Sequence, residues 1–218
     1  GLRFFVSHGE SGAGGSPFYS KIANANNNPN TLFSPGRSGI WRSGNFAESW
    51  ELTPIPDNFA VIRSSGGVSS SLDVEVSVAN PDVVWAGNAI EESGEFVMHV
   101  SEDNGISFKP TSVFVDPRED VTHNNTISGI GVSPTNKDRA YVLFSQQGAA
   151  KVLKTEDLGQ TWEDISGFSL GEDRGFPDVA IHSLIEMPFD KDRLWVGTDI
   201  GVFQTLDGGK IWALLAGL

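Results

Sequence analysis

The side chains able to do chemistry fall mainly in three stretches. Asp116, Arg118, Glu119, Asp120 and His123 form one, and Glu172, Asp173, Arg174 and Asp178, followed by His182, form another. Glu91, Glu92 and Glu95 form the third. Two carboxyl groups on either side of a glycosidic bond, one protonated and one ionised, are sufficient to cleave it. Glu75 and His182 add a separate signal. Each lies six residues before a turn proline, Pro81 and Pro188, so the two read as equivalent positions of a repeated strand. The candidate binding residues are therefore Glu75, His123, Arg174, Asp178 and His182. The same charges read equally well as a solvated rim, and no residue is assigned a catalytic role.

Other chemistries find less support. The chain has no Cys, which removes disulfides, thiol catalysis and Cys-ligated metal. It contains no phosphate-cradling loop, nucleophile elbow or zinc spacing, so neither a metal nor a cofactor is expected. Fifteen basic against 28 acidic residues give a net charge of −13. That balance disfavours nucleic acid, whose binding is driven by phosphate neutralisation, and an anionic membrane surface. There is no apolar run of membrane-spanning length, so no membrane insertion is expected. A Cys-free, acidic chain rich in Asn, Gly and Ser suits a secreted or cell-surface protein of a bacterial envelope.

The elements that position these groups are marked by an eight-residue phrase of the form hydroxyl-x-Asp-x-Gly-x-hydroxyl-aromatic. It occurs as Ser101, Asp103, Gly105 and Phe108; as Thr155, Asp157, Gly159 and Trp162; and as Thr205, Asp207, Gly209 and Trp212, with Ile211 in place of the second hydroxyl. Ser43 to Trp50 is a worn copy with Asn45 for Asp and Ala47 for Gly. A short apolar run precedes each copy, so the phrase is a strand entering a turn. Its carboxylate accepts from turn N–H groups, its Gly takes a positive φ, and its aromatic opens the returning strand. The acids are thereby used in holding the turn. A calcium site is the alternative, but one acid per loop is few for an ion that takes six to eight oxygens.

The copies start at 43, 101, 155 and 205, intervals of 58, 54 and 50 residues. Each interval carries a second landmark, Phe33, Trp85, Tyr141 or Trp195, in a short apolar run after a polar turn. Four strands per repeat result. Repeated four-stranded antiparallel units of this length are the blades of a β-propeller. The expected fold is all-β, with four visible blades near residues 18–53, 72–112, 126–166 and 180–218. Residues 1–17 would be a leading strand and connection from a preceding blade, and the four blades part of a larger ring. The insertions at 89–95 and 146–149 and the inter-blade loops then share one face, where binding groups tend to sit. By register with Trp41, Leu153 and Phe203, His99 is expected in the core.

These phrases resemble the Asp-box (BNR-repeat) propellers, a group that includes sialidases, xyloglucan-cleaving hydrolases, sortilin-type receptors and many secreted bacterial proteins. Residues 195–212, from Trp195 through Asp207 to Trp212, are most similar to the secreted bacterial and xyloglucanase-like repeats. The resemblance covers residues 18–218. It implies either a non-catalytic module that binds a protein or a glycan, or a fragment of a xyloglucanase-like glycoside hydrolase with carboxylate chemistry on the loop face. A sialidase would need an opening Arg-Ile-Pro phrase, from which Val61-Ile62-Arg63-Ser64 departs.

Overall fold

The computed structural model describes residues 21–25, 27–56, 58–60, 72–118 and 126–216. The proposed leading strand, the start of the first blade and His123 lie outside them. Among the described residues sixteen strands form four sheets. The first sheet holds Ala23–Ala25 (β1), Asn28–Gly36 (β2), Gly39–Ser43 (β3) and Glu51–Pro54 (β4). The second holds Asp73–Val76 (β5), Val84–Gly87 (β6), His99–Ser101 (β7) and Lys109–Pro110 (β8). Ile127–Val132 (β9), Ala140–Phe144 (β10), Val152–Thr155 (β11) and Glu163–Asp164 (β12) make the third. Ile181–Met187 (β13), Asp190–Thr198 (β14), Gly201–Thr205 (β15) and Ala213–Leu214 (β16) make the fourth. Each sheet is an antiparallel meander in chain order. Its polar turns separate apolar runs too short for anything but strands.

The innermost strands neighbour one another in the order β1, β5, β9, β13. Among the described residues no comparable contact joins β13 back to β1, so the four sheets form an arc about one axis. The sheets are covered on both faces where they meet, which is why the middle blades read as continuous apolar runs instead of alternating ones. Phe33 and Ile40 of the first blade pack on Val74, Val76 and Val84 of the second. Met98 and Ile90 pack on Ile127, Val142 and Leu153 of the third. Tyr141 and Val152 pack on Leu194, Val196 and Phe203 of the fourth.

His99 belongs to this core. Its ring is fully buried, edge-on to Phe59 at 5.9 Å, with Nδ1 3.2 Å from the Val97 carbonyl. Burial pushes its pKa down to about 4, against a small opposing effect of that hydrogen bond.

The phrase turns are built as a closed hydrogen-bond circuit. In the third blade, Thr155 Oγ1 donates to Asp157 Oδ1 at 2.8 Å and accepts from the Gly159 N–H at 2.9 Å. Asp157 also accepts from the Thr161 N–H at 2.9 Å and the Thr161 hydroxyl at 2.6 Å. A hydroxyl is needed first because it must give one proton and take one. Ser101 and Asp103 repeat the circuit in the second blade, and Thr205 and Asp207 repeat it without the late hydroxyl. Burial alone would raise these carboxyl pKa values; the hydrogen bonds outweigh it and hold all three below the ordinary range.

The role of the glycine differs from the sequence expectation. Two successive residues are left-handed in each turn, Asn104 with Gly105 and Leu158 with Gly159, and the worn copy does the same with Phe46 and Ala47. Positive φ is therefore tolerated by side chains here. Glycine is required by the neighbouring blade. A Cβ on Gly105 would lie 2.4 Å from the Phe33 ring, one on Gly159 2.4 Å from Thr111, and one on Gly209 2.7 Å from Ile165.

Because Asn45 reproduces the circuit in the first blade, accepting from Ser43 and the Ser49 N–H, the turn needs the side-chain oxygen more than the charge. Chemical denaturation will find Asp157→Ala less stable by about 1–3 kcal/mol, and Asp157→Asn by less than half as much.

Candidate functional site

The first strands of the four blades leave a groove of about 520 Å³ along the axis. Lys21 and Asp73 line it at one end, with Glu75 beside them, and His182 through Glu186 line the opposite wall. Gly129 and Gly131 of β9 also line it, and a Cβ on Gly131 would lie 3.1 Å from Leu184, so its lack of a side chain lets β13 approach β9 closely.

Asp73 and Glu75 are two residues apart on β5, so both side chains leave the same face of the sheet, with Cα atoms about 6.6 Å apart. Asp73 is buried, accepts the Val74 N–H at 2.8 Å and is ion-paired with Lys21 from the first blade. Glu75 is half-buried and has a different environment. Burial first, and then the charge of Asp73, push its pKa up to about 7, while Lys21 acts in the opposite direction. One strand thus carries an ion-paired carboxylate beside a carboxyl that holds its proton near neutrality. Divergent environments of this kind separate an acid from its partner base.

His182 also lines the groove, with Nε2 2.7 Å from Asp199 Oδ1, both side chains exposed. It is not the register equivalent of Glu75. Glu75 stands opposite Trp85, and the residue opposite Trp195 is Ile185. Counting back from the turn proline failed because the proline sits at different places in two equally long hairpins: Pro81 comes six residues after Glu75, and Pro188 three after Ile185.

Glu186 reaches the groove from β13 but is committed elsewhere. It accepts from Ser133 at 2.7 Å, Arg139 at 3.1 Å and the Tyr141 hydroxyl at 2.7 Å, tying the third blade to the fourth. Burial and the Glu186 charge raise the Tyr141 pKa above its ordinary value.

The loop-face candidates sit apart from the groove. Arg174 pairs with Glu172 at 2.7 Å, reaches the Gly209 carbonyl, and lays its stem across Gly167. Asp178 pairs with Lys151 and accepts the Gly148 N–H at 3.0 Å. Lys151 is fully buried, 5.3 Å above the Phe168 ring. These charges latch one loop to another. The structure therefore brings Glu75 and His182 to one groove and leaves Arg174 and Asp178 in a latch. Sequence reasoning passed over Lys21, Asp73 and Glu186. Strand alternation could have paired Asp73 with Glu75, but nothing in the sequence brings Lys21 to them. Among the described residues no group of three or more His, Asp or Glu is arranged to hold a metal ion. Nor, among the described residues, is any helix long and apolar enough to cross a membrane.

Four radial antiparallel blades about a common axis define a β-propeller fold. The relatives agree. No family model matches the sequence. The oligoxyloglucan-reducing end-specific xyloglucanase of Emericella nidulans is 22% identical over 182 residues, covering 82% of this chain and 21% of that enzyme. An ancestral GH74 enzyme superposes with a TM-score of 0.60 at 19% identity, over 93% of this chain and 25% of its own. The GH74 xyloglucanase from Xanthomonas campestris does so with a TM-score of 0.56 at 19% identity, over 90% and 24%. The chain thus spans about a fifth of the curated relative, and the structural likeness establishes the fold.

Glu75 and His99 make opposite demands on pH. The raised Glu75 pKa contributes stability that is fully present below its ordinary 4.5 and lost as pH rises through about 7. The depressed His99 pKa contributes stability present above its ordinary 6.5 and lost as pH falls through about 4. Each is worth roughly 3 kcal/mol, and over the shared window they offset each other. Denaturant titrations between pH 4 and 7 will show Glu75→Gln gaining stability as pH rises and His99→Met losing it.

Proposed function

We propose that the chain is part of a glycan-cleaving propeller of the xyloglucanase kind, in which the axial groove holds a polysaccharide and Glu75 donates the proton to the glycosidic oxygen. The observation that carries this reading is the carboxyl pair on β5: Glu75 with its pKa at about 7, beside Asp73 paired with Lys21. Glycosidases place such pairs about 5–10 Å apart, which the two-residue spacing permits. Asp73 would act on water or on the anomeric carbon once Lys21 is displaced. The xyloglucanase from Emericella nidulans and the GH74 structures support the substrate class. The hydroxyl-x-Asp-x-Gly turns support a relation to the Asp-box propellers, and with it a secreted or cell-surface setting.

A second reading, a non-catalytic module for a protein or glycan partner, is favoured by one observation: Lys21 already occupies the second carboxylate. Measurement separates the two. On xyloglucan oligosaccharides the chain should release reducing ends, faster as pH falls through about 7 and Glu75 takes up its proton. Glu75→Gln should lower kcat by roughly 10²–10⁴ with affinity in calorimetry retained. Binding without any turnover would replace this reading with the second, and neither binding nor turnover would remove both.

A further inference from the structure

The residues in the row of each blade's landmark ring differ in cover from one blade to the next. In the first blade Ala23 and Phe33 are paired and buried, and in the third Gly131 and Tyr141 are. Trp85 of the second blade is fully buried. In the fourth blade the same row is open: Ile185 is 59% exposed, and Trp195 is only partly covered.

The capped turn of the next blade seats directly on the row in the first two blades and beside it in the third, where Leu194, Val196 and Glu186 of the fourth blade cover Tyr141. Gly105 seats on Phe33, and Thr53 Oγ1 donates to the Gly105 carbonyl at 2.6 Å. Gly159 seats on Thr111 and Trp85, and its carbonyl accepts the Ser112 N–H at 2.8 Å. Gly209 seats on Ile165, and the Trp212 indole donates to the Ile165 carbonyl at 3.0 Å. The receiving residues, Thr53, Thr111 and Ile165, each stand three places after the aromatic that closes their own phrase. In the fourth blade that place is Leu215. Its backbone is set in the same register: Leu215 N–H donates to Val202 as Thr111 does to Met98 and Ile165 to Val152. Among the described residues Leu215 has no such partner seated on it, and it is only partly buried.

We propose that this face, from Ile185 across Trp195 to Leu215, is a docking surface for a further β-blade of the same repeat, whose capped turn presents a glycine to Leu215 and Trp195. Ile185 also edges the groove, but the inference makes no use of the chemistry proposed there. A second copy of this chain is not the occupant. Among the described residues, the first blade's turn is the one not seated on a preceding blade, and it carries Ala47 where the seated turns carry glycine. At the seated turns a Cβ would approach the receiving blade to 2.4–2.7 Å, so a methyl group there cannot seat. The occupant is a blade with glycine at that position.

The test extends the full chain with a second copy of residues 167–216 after residue 216, carrying Trp195→Phe in the added copy so that the two can be told apart. Oxidative footprinting read by mass spectrometry should find Trp195 protected at least ten-fold in the extended chain. Protection should vanish when the added copy also carries Gly209→Leu. Equal reactivity with and without the extension would overturn the proposal, as would an added copy that stays unprotected in amide exchange, because the open face offers it the support that the third blade gives the fourth. Two measurements on the unextended chain complete the test. Ile185→Lys should leave the melting temperature unchanged, and a marked loss would mean the face is already covered. Sedimentation should find a monomer with reactive Trp195; a dimer that protects Trp195 would assign the face to a second copy instead.

Discussion

Close approach between the turn of one blade and the blade before it governs this molecule. Each sheet has two apolar faces and no means of covering both alone. The capped turn solves this by presenting backbone instead of side chain at the point of contact, so that Phe33 or Thr111 can press directly against a glycine. Tertiary packing sets that requirement. The local backbone does not, since Ala47 and Leu158 adopt the same left-handed geometry with side chains attached.

The hydrogen-bond circuit of Asp, Ser and Thr makes the close approach reproducible. It holds the turn from within, through bonds between residues two to four places apart, so each blade carries a preformed contact before it meets its neighbour. The junctions then add their own specificity: a Trp212 indole to the Ile165 carbonyl, or the buried Glu186 shared by Ser133, Arg139 and Tyr141. Buried polar groups of this kind are costly unless fully partnered, and their pairing across the junction gives it one register.

The groove follows from the same arrangement. Stacked blades turn their first strands toward one axis, and the residues at their starts meet there irrespective of their separation in the chain. Lys21 and Asp73 are brought together across 52 residues, and burial with the Asp73 charge leaves Glu75 protonated near neutrality against the opposing charge of Lys21. The loop-face charges had a stronger claim in the sequence because they cluster. They cluster in space as well, but as ion pairs that satisfy one another: Arg174 with Glu172, and Asp178 with Lys151.

The sequence by itself determined the four-stranded repeat, the residues of the capped turns and the core placement of His99, because these depend on contacts between residues close in the chain or on a period that repetition makes visible. Only the tertiary structure decided that the phrase glycines serve the neighbouring blade, that Ile185 and not His182 is the counterpart of Glu75, and that Asp73 and Lys21 belong with it. Those outcomes rest on how strands pair within a blade and on contacts between blades. Distances of that kind are set when sheets stack, and a linear pattern of residue types carries no record of them.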